Sequence, residues 1–295
     1  MTQSSTGRVE PSLEAAHANL DERPLGRILV DMGKLRPKDV DRVFIAHREK
    51  GLRFGEAARE LRLVKDADIQ QALSIQFNYP YLRTGQSALS REIFAARDPF
   101  DPQSEALRDL RTQLLLHWIS DERKVLTVVS PDIGDGRSVL AANLAVAFAQ
   151  LGEHTLLIDA DMRRPRQHRL FGHGNGPGLA QVLSGRSGIE ASERVSYFDS
   201  LWLLSAGAAP PNPLELLSRL TFPALLHEAR KRFKIVLLDT PANSRGSDAR
   251  IISARADGVL ALARQDRTRL ADFENLCRAM RGSGAQVAGT VLNQI

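Results

Sequence analysis

Ser130-Pro131-Asp132-Ile133-Gly134-Asp135-Gly136-Arg137-Ser138 lies between an apolar run, Val125 to Val129, and an amphipathic stretch, Val139 to Ala149. The order predicts a strand, a glycine-rich turn and a helix start. That arrangement cradles a phosphate, because glycines let the backbone approach it and the first free helical N–H groups point at it. Ser138, directly after the basic residue, is placed to ligate Mg²⁺. Two residues depart from the pattern G-x-x-x-x-G-K-[ST]: Pro131 stands at its first glycine and Arg137 at its lysine. The same nine residues also suit an ordinary turn capping a core helix, so the reading depends on what lies downstream.

Downstream, Thr155 to Ile158 predicts a second strand, and it ends in Asp159-Ala160-Asp161-Met162-Arg163-Arg164-Pro165. Two carboxylates at the carboxyl end of a strand face the crevice where parallel α/β sheets bind ligands. Unpaired charge there is costly, which makes hydrated Mg²⁺ the natural neighbour. A third apolar strand, Ile235 to Leu238, ends in Asp239-Thr240-Pro241, where a single carboxylate takes the metal through water. Three such strand ends in this order predict a site for a nucleoside triphosphate with Mg²⁺.

Further strands are expected at 201–204, 259–263 and 287–292, with helices near 214–231, 246–254 and 269–281. The alternation implies an α/β fold: a doubly wound parallel sheet with right-handed crossovers. A helix opening at Ser104 carries Glu105, Arg108 and Arg111 three residues apart, which reads as one shared face. The basic run Arg163, Arg164, Arg166 and Arg169 reads as loop charge beside the site. Without aromatic residues between the arginines or a recognition helix, no nucleic-acid partner is expected.

The 295 residues, 43% of them hydrophobic, allow a substantial core, and the net charge of +5 is too small to argue for nucleic acid. A single cysteine, Cys277, excludes an internal disulfide framework and fits a reducing compartment. The histidines have no metal-ligand spacing. Neither a signal peptide nor an apolar run long enough to span a bilayer is found, so a cytoplasmic protein is expected, recruited to the inner membrane by a partner.

Residues 1–22 read as a polar, disordered lead. A duplication follows: Gly26 aligns with Gly55, Leu29 with Ala58, Val40 with Ile69, Phe44 with Leu73 and His47 with Gln76. Each copy predicts a short helix, a turn and a longer helix, giving a small helical domain over 23–82. This region resembles the amino-terminal domain of type II secretion and pilus ATPases, some of which bind cyclic di-GMP through a tandem motif. Pro24, His47 and Arg62 depart from that motif. Two readings stay open: a helical protein-docking module, or a cyclic di-GMP site using Gly26, Gly55 and Arg53. Residues 83–103 read as a linker, and 104–295 as the nucleotide-binding domain.

The order S-x-x-x-G-x-G-R-S, L-L-I-D-x-D-M-R-x-P, A-P-P-N-P-x-E-L-L (209–217), I-V-L-L-D-T-P and A-D-G-V (256–259) resembles the bacterial tyrosine kinases of capsule and exopolysaccharide export, a P-loop NTPase family. The resemblance implies a Walker A, A′ and B site for ATP and Mg²⁺. Gly134, Asp135, Gly136, Arg137 and Ser138 would bind the phosphates, Asn293 the adenine, and Ser138, Asp159, Asp161 and Asp239 the metal. Asp159 and Asp161 would also divide the tasks of activating the acceptor hydroxyl and supporting the metal, with Arg137 beside them at the catalytic lysine's place. It further implies a membrane-embedded chain-length and export partner, and homo-oligomers assembled through Glu105, Arg108 and Arg111. Arginine is planar and larger than lysine, so Arg137 implies retained binding with slow turnover. The family's carboxyl-terminal tyrosine cluster has no counterpart here, where the tyrosines are Tyr79, Tyr81 and Tyr197; the expected acceptor therefore lies elsewhere. The alternatives are a partition-type ATPase switch and a catalytically weak scaffold that phosphorylates nothing.

Overall fold

The computed structural model of the chain describes residues 25–76, 88–97 and 101–294. The expected polar lead, 1–22, lies outside the described residues. The chain divides into two units, one up to Tyr79 and one from Pro80.

Among its described residues the first unit carries the duplication as four helices: α1 (Leu25–Asp31), α2 (Pro37–Lys50), α3 (Phe54–Glu60) and α4 (Asp66–Gln76). Neither copy packs on itself alone: α1 lies against α4, and α2 against α3. Ile28, Leu29, Val43, Ala57, Ala58 and Ala72 form the shared core. The equivalent glycines are sites of close approach. A Cβ on Gly26 would stand 2.8 Å from the Phe54 ring, and one on Gly55 3.0 Å from Ile69 Cγ2. The turns match as well, because Arg62 has φ 54° where the first copy has Gly33 at φ 68°. The left-handed turn therefore survives the loss of its glycine, at a cost of roughly 1–2 kcal/mol.

The second unit is a seven-stranded sheet in the order β3-β4-β2-β5-β1-β6-β7. Its strands are β1 (Val125–Val129), β2 (Thr155–Asp159), β3 (Glu193–Arg194), β4 (Leu201–Leu204), β5 (Ile235–Asp239), β6 (Gly258–Arg264) and β7 (Val287–Asn293). All pairings are parallel except that of the short edge strand β3, which was not expected from sequence. Every residue of β1, β2 and β5 is buried, as the unbroken apolar runs require of strands covered on both faces. Ile235 and Leu237 face α5 (Pro102–His117) and α6 (Arg137–Gln150), whereas Val236 and Leu238 face α8 (Leu179–Leu183), α9 (Pro213–Ser218) and α10 (Thr221–Arg232). α7 (Gln167–Leu170) joins the first layer, α11 (Asp248–Ser253) the second, and α12 (Leu270–Gly282) covers β6. The helix expected over 214–231 is broken where Arg219 turns extended.

Two other expectations are corrected. Residues 88–97 are no linker: Leu89, Ile93, Ala95 and Ala96 are buried against α6. Polar bonds fix them there, from the Ala95 N–H to Asn143 Oδ1 (2.9 Å) and from Gln150 Nε2 to the Ala95 carbonyl (2.8 Å). The helix carrying Glu105 starts at Pro102 rather than at Ser104. Asp101 caps it by accepting the Gln103 N–H, with proline in the first turn where its missing N–H costs nothing.

Because the chain passes from β1 over the place of β5 to β2 and later returns between them, the carboxyl ends of β1, β5 and β2 are adjacent. Asp257 fixes the other end of β1. Its Oδ2 accepts the Lys124 and Val125 N–H groups at 2.8 Å each, and its Oδ1 accepts Arg230.

Candidate active site

The loop joining β1 to α6 is built by its glycines and braced from outside. Gly134 and Gly136 have φ 81° and 108°. A Cβ on Gly136 would come within 2.4 Å of Asn293 Nδ2, and one on Gly134 within 2.9 Å of the Arg267 guanidinium. Asn293 donates to the Asp135 carbonyl (2.8 Å), Arg264 to the Gly134 carbonyl (2.8 Å) and Arg267 to the Ile133 carbonyl (3.0 Å). Asp135 accepts the Asp132 N–H (2.8 Å) and the Thr268 hydroxyl (3.3 Å). Of the residues expected at the phosphates, Gly134, Gly136, Arg137 and Ser138 line the cavity in front of α6, while Asp135, and Asn293 expected at the adenine, brace the loop.

That cavity has a volume of about 470 Å³, the size of a small-molecule site. Its wall carries Arg163, Arg164, Arg166, Arg169 and Arg245 against one carboxylate, Asp161. Arg163 pairs with Asp248 (3.2 Å), Arg166 with both oxygens of Glu92 (2.9 and 2.8 Å), and Arg169 donates to the Pro165 carbonyl (2.9 Å). Arg164 and Arg245 are exposed. This balance of charge suits a polyanion.

Arg137 is folded into the loop. Its Nε donates to the Thr240 carbonyl (3.0 Å), and its Nη1 to Ser130 Oγ (2.5 Å) and the Asp132 carbonyl (2.6 Å). The guanidinium thus ties the end of β1 to the end of β5.

The three expected carboxylates converge but divide by position. Asp159 and Asp239 are Cα partners on adjacent strands, and both are fully buried. Asp159 Oδ2 accepts the Arg166 and Gln167 N–H groups (2.9 Å each), and Oδ1 accepts the Asp161 N–H (3.2 Å). It thereby closes the turn that carries the arginines. Burial, with Asp239 as a like-charged neighbour, pushes the Asp159 carboxyl well up. Burial likewise raises Asp239 to about 6, opposed by the Gln167 amide, Arg137 and the nearby Ser138 hydroxyl. Only Asp161 reaches the cavity. Its Oδ1 accepts the Arg163 (3.1 Å) and Arg164 (2.9 Å) N–H groups, which leaves Oδ2 free.

The donor set fits Mg²⁺. Among the described residues no group of three or more His, Cys, Asp or Glu could cage an ion by itself, and Mg²⁺ keeps most of its waters. Asp239 Oδ1 and Gln167 Oε1 are buried acceptors without a hydrogen-bond partner. A buried acceptor of this kind calls for a donor, and metal-bound water is one. Sequence reasoning missed Gln167, Arg245 and the braces Arg264 and Arg267, because none falls in a recurring pattern.

The expected assembly motif separates. Successive three-residue steps on a helix rotate around its axis, since 3.6 residues make a turn. Glu105 and Arg108 accordingly pair at the surface, while Arg111 is buried and donates to the Ala147 carbonyl at the end of α6 (3.0 Å).

No model of a protein family matches the chain. Curated relatives do. The chain is 34% identical over 207 residues to the tyrosine-protein kinase YwqD of Bacillus subtilis, covering 70% of this chain and 87% of that protein. It is 33% identical over 229 residues to the putative tyrosine-protein kinase EpsB of Ralstonia nicotianae, covering 78% of this chain but only 30% of that protein. Among solved structures, the kinase domain of the Escherichia coli tyrosine kinase ETK superposes with a TM-score of 0.66 at 28% identity, over 69% of this chain and 80% of that one.

Proposed function

Because the chain belongs to the bacterial tyrosine-protein kinase family, we propose that it transfers the γ-phosphoryl group of ATP to tyrosine hydroxyls, as a kinase-like regulator of exopolysaccharide chain length and export. The observation that carries this reading is the convergence of Ser138 and Asp161 on one arginine-lined cavity, with Asp239 directly behind. The Gly134–Ser138 backbone at the start of α6 binds the phosphates. Bound Mg²⁺ would neutralise phosphate charge. Ser138 and, through water, Asp239 would hold it. Asp161, with one oxygen free, orients the acceptor hydroxyl and takes its proton. Asp159 serves by holding the turn on which Asp161 and the arginines stand. Phosphoryl transfer depends mainly on alignment and charge neutralisation, which suits a site with several guanidinium groups.

Arg137 supports binding with reduced turnover, since its guanidinium is engaged by three loop and strand acceptors. A membrane-embedded export protein is the proposed partner. Among the described residues no helix is long and apolar enough to cross a membrane. Assembly between copies is assigned to the surface pair Glu105 and Arg108, with Arg111 supporting the helix from inside. In the helical unit, Gly26 and Gly55 are taken up by helix packing, which favours protein docking over cyclic di-GMP.

The test is a phosphotyrosine immunoblot of the full chain after incubation with ATP and Mg²⁺, with and without the partner's cytoplasmic segment, beside Asp161→Asn. Phosphotyrosine in the parent alone supports the reading. Hydrolysis of ATP with no phosphotyrosine would replace it by an ATPase switch.

A further inference from the structure

Gln167 opens α7 and is completely buried. Three parts of the site meet on it. Its backbone N–H donates to Asp159 Oδ2 (2.9 Å). Its side-chain Nε2 donates both to Asp239 Oδ2 (2.7 Å) and to the Ser138 carbonyl (3.0 Å). Both side-chain partners are acceptors, so the orientation of the amide is fixed: nitrogen toward Asp239 and the loop helix, oxygen away from them. That oxygen, Oε1, is buried with no hydrogen-bond partner, and so is the second oxygen of Asp239. Two residues bonded to each other thus each keep one unsatisfied buried acceptor.

A purely structural bridge gives no reason for this. An unsatisfied buried acceptor costs roughly 1–3 kcal/mol, and the bridge to Asp239 and Ser138 leaves two of them in place. The arrangement has a use if donors arrive with a ligand, as the waters of a divalent cation do. The terminal torsion of a carboxylate is broad, so an aspartate held at one oxygen presents its other oxygen in a defined direction.

We propose that Gln167 is a positioning residue of the metal–nucleotide site. It pins Asp239 by Oδ2 so that Oδ1 is presented to the water shell of the bound cation. Its backbone bond to Asp159 links the shell to the turn bearing Arg163, Arg164 and Arg166, so the metal site and the arginine wall hold together through one residue. This inference rests on the Mg²⁺–ATP reading of the cavity.

The experiment titrates the full chain with a fluorescent ATP analogue in Mg²⁺ and in EDTA, for the parent, Gln167→Met and Gln167→Glu. Methionine keeps length and removes both polar atoms; glutamate keeps the shape but sets a carboxylate against Asp239. Direct binding of Mn²⁺ in the presence of nucleotide, followed by electron paramagnetic resonance, gives a second readout. Loss of an outer-shell partner costs roughly 10–100-fold in metal affinity. Both variants should lose that much of the metal-dependent affinity and keep the EDTA affinity of the parent, which a general structural defect would also lower. If either folded variant retains the parent's metal dependence, the inference falls while the nucleotide site stands. A parent whose affinity is equally weak in Mg²⁺ and EDTA overturns the nucleotide reading, and this inference with it.

Discussion

Asp159 and Asp239 face each other across β2 and β5 as Cα partners, both buried behind the cavity rather than in it. Parallel strands run about 4.8 Å apart, so two carboxylates are held close together with little water. Burial raises both carboxyls, and each predicts a measurable consequence.

The first concerns pH. Asp239 has a folded value of about 6 against its ordinary 3.8. A carboxyl raised on folding contributes stability that is fully present below about 3.8 and lost as pH rises through about 6. Asp239→Asn lacks that loss. In EDTA the variant should match the parent near pH 4 and exceed it near pH 8, on the order of 1–3 kcal/mol. Thermal melts across that range check it, and parallel curves for the two proteins would refute it.

Asp161 and Asp159 should differ in kind. Asp161 reaches the cavity with a free oxygen, so Asp161→Asn should melt within about 1 kcal/mol of the parent and lose roughly 100-fold or more in phosphoryl transfer. Asp159 serves three backbone N–H groups. Asp159→Ala should cost about 2–4 kcal/mol by leaving them unpaired in the interior. Melting curves beside a kinase assay separate the two.

Arg137→Lys tests the loop. Lysine cannot reproduce a planar fork bonded to Ser130, Asp132 and Thr240, so stability should fall by about 1–3 kcal/mol. Turnover should nonetheless rise, because a compact mobile charge is freed for the phosphates. A variant no faster than the parent would contradict the assignment of slow turnover to Arg137.

Arg62→Gly tests the helical repeat. Restoring glycine at φ 54° relieves left-handed strain of roughly 1–2 kcal/mol, partly offset by the entropy of glycine. Hydrogen exchange of α3 and α4 in the full chain should slow by a factor matching about 0.5–1 kcal/mol. Faster exchange would mean that the Arg62 side chain does more for the unit than its backbone costs.

The assembly helix offers a contrast between residues three apart. Arg111→Ala should destabilise the fold by about 1–3 kcal/mol, because Arg111 satisfies the Ala147 carbonyl from a buried position. Arg108→Ala should leave the melting curve nearly unchanged and shift only the sedimentation of the nucleotide-bound protein. Equal effects on stability would refute the division.

Much of the fold was legible in the chain itself. The apolar runs ending at Val129, Asp159 and Asp239 are long, unbroken and bounded by turn residues, so strand type and position followed from local chemistry. The glycine-rich turn between β1 and α6 was readable for the same reason, as was the repeat, whose period is carried by side chains at fixed separation. Those features depend on neighbours in sequence.

What required the folded chain depends on neighbours in space. Residues 88–97 look like a linker because their polar and turn residues are local, yet Asn143 and Gln150, some 50 residues away, fix them to α6. Asp159 and Asp161 are equivalent as letters; only the turn back to Arg166 and Gln167 makes one a buried anchor and the other a cavity group. Arg137 reads as a weakened lysine until the Thr240 carbonyl, just past the end of a strand over 100 residues later, is found holding it. Hydrophobic periodicity specifies elements, but a polar atom's role is set by whichever partner the topology brings within about 3 Å, and no spacing along the chain encodes that.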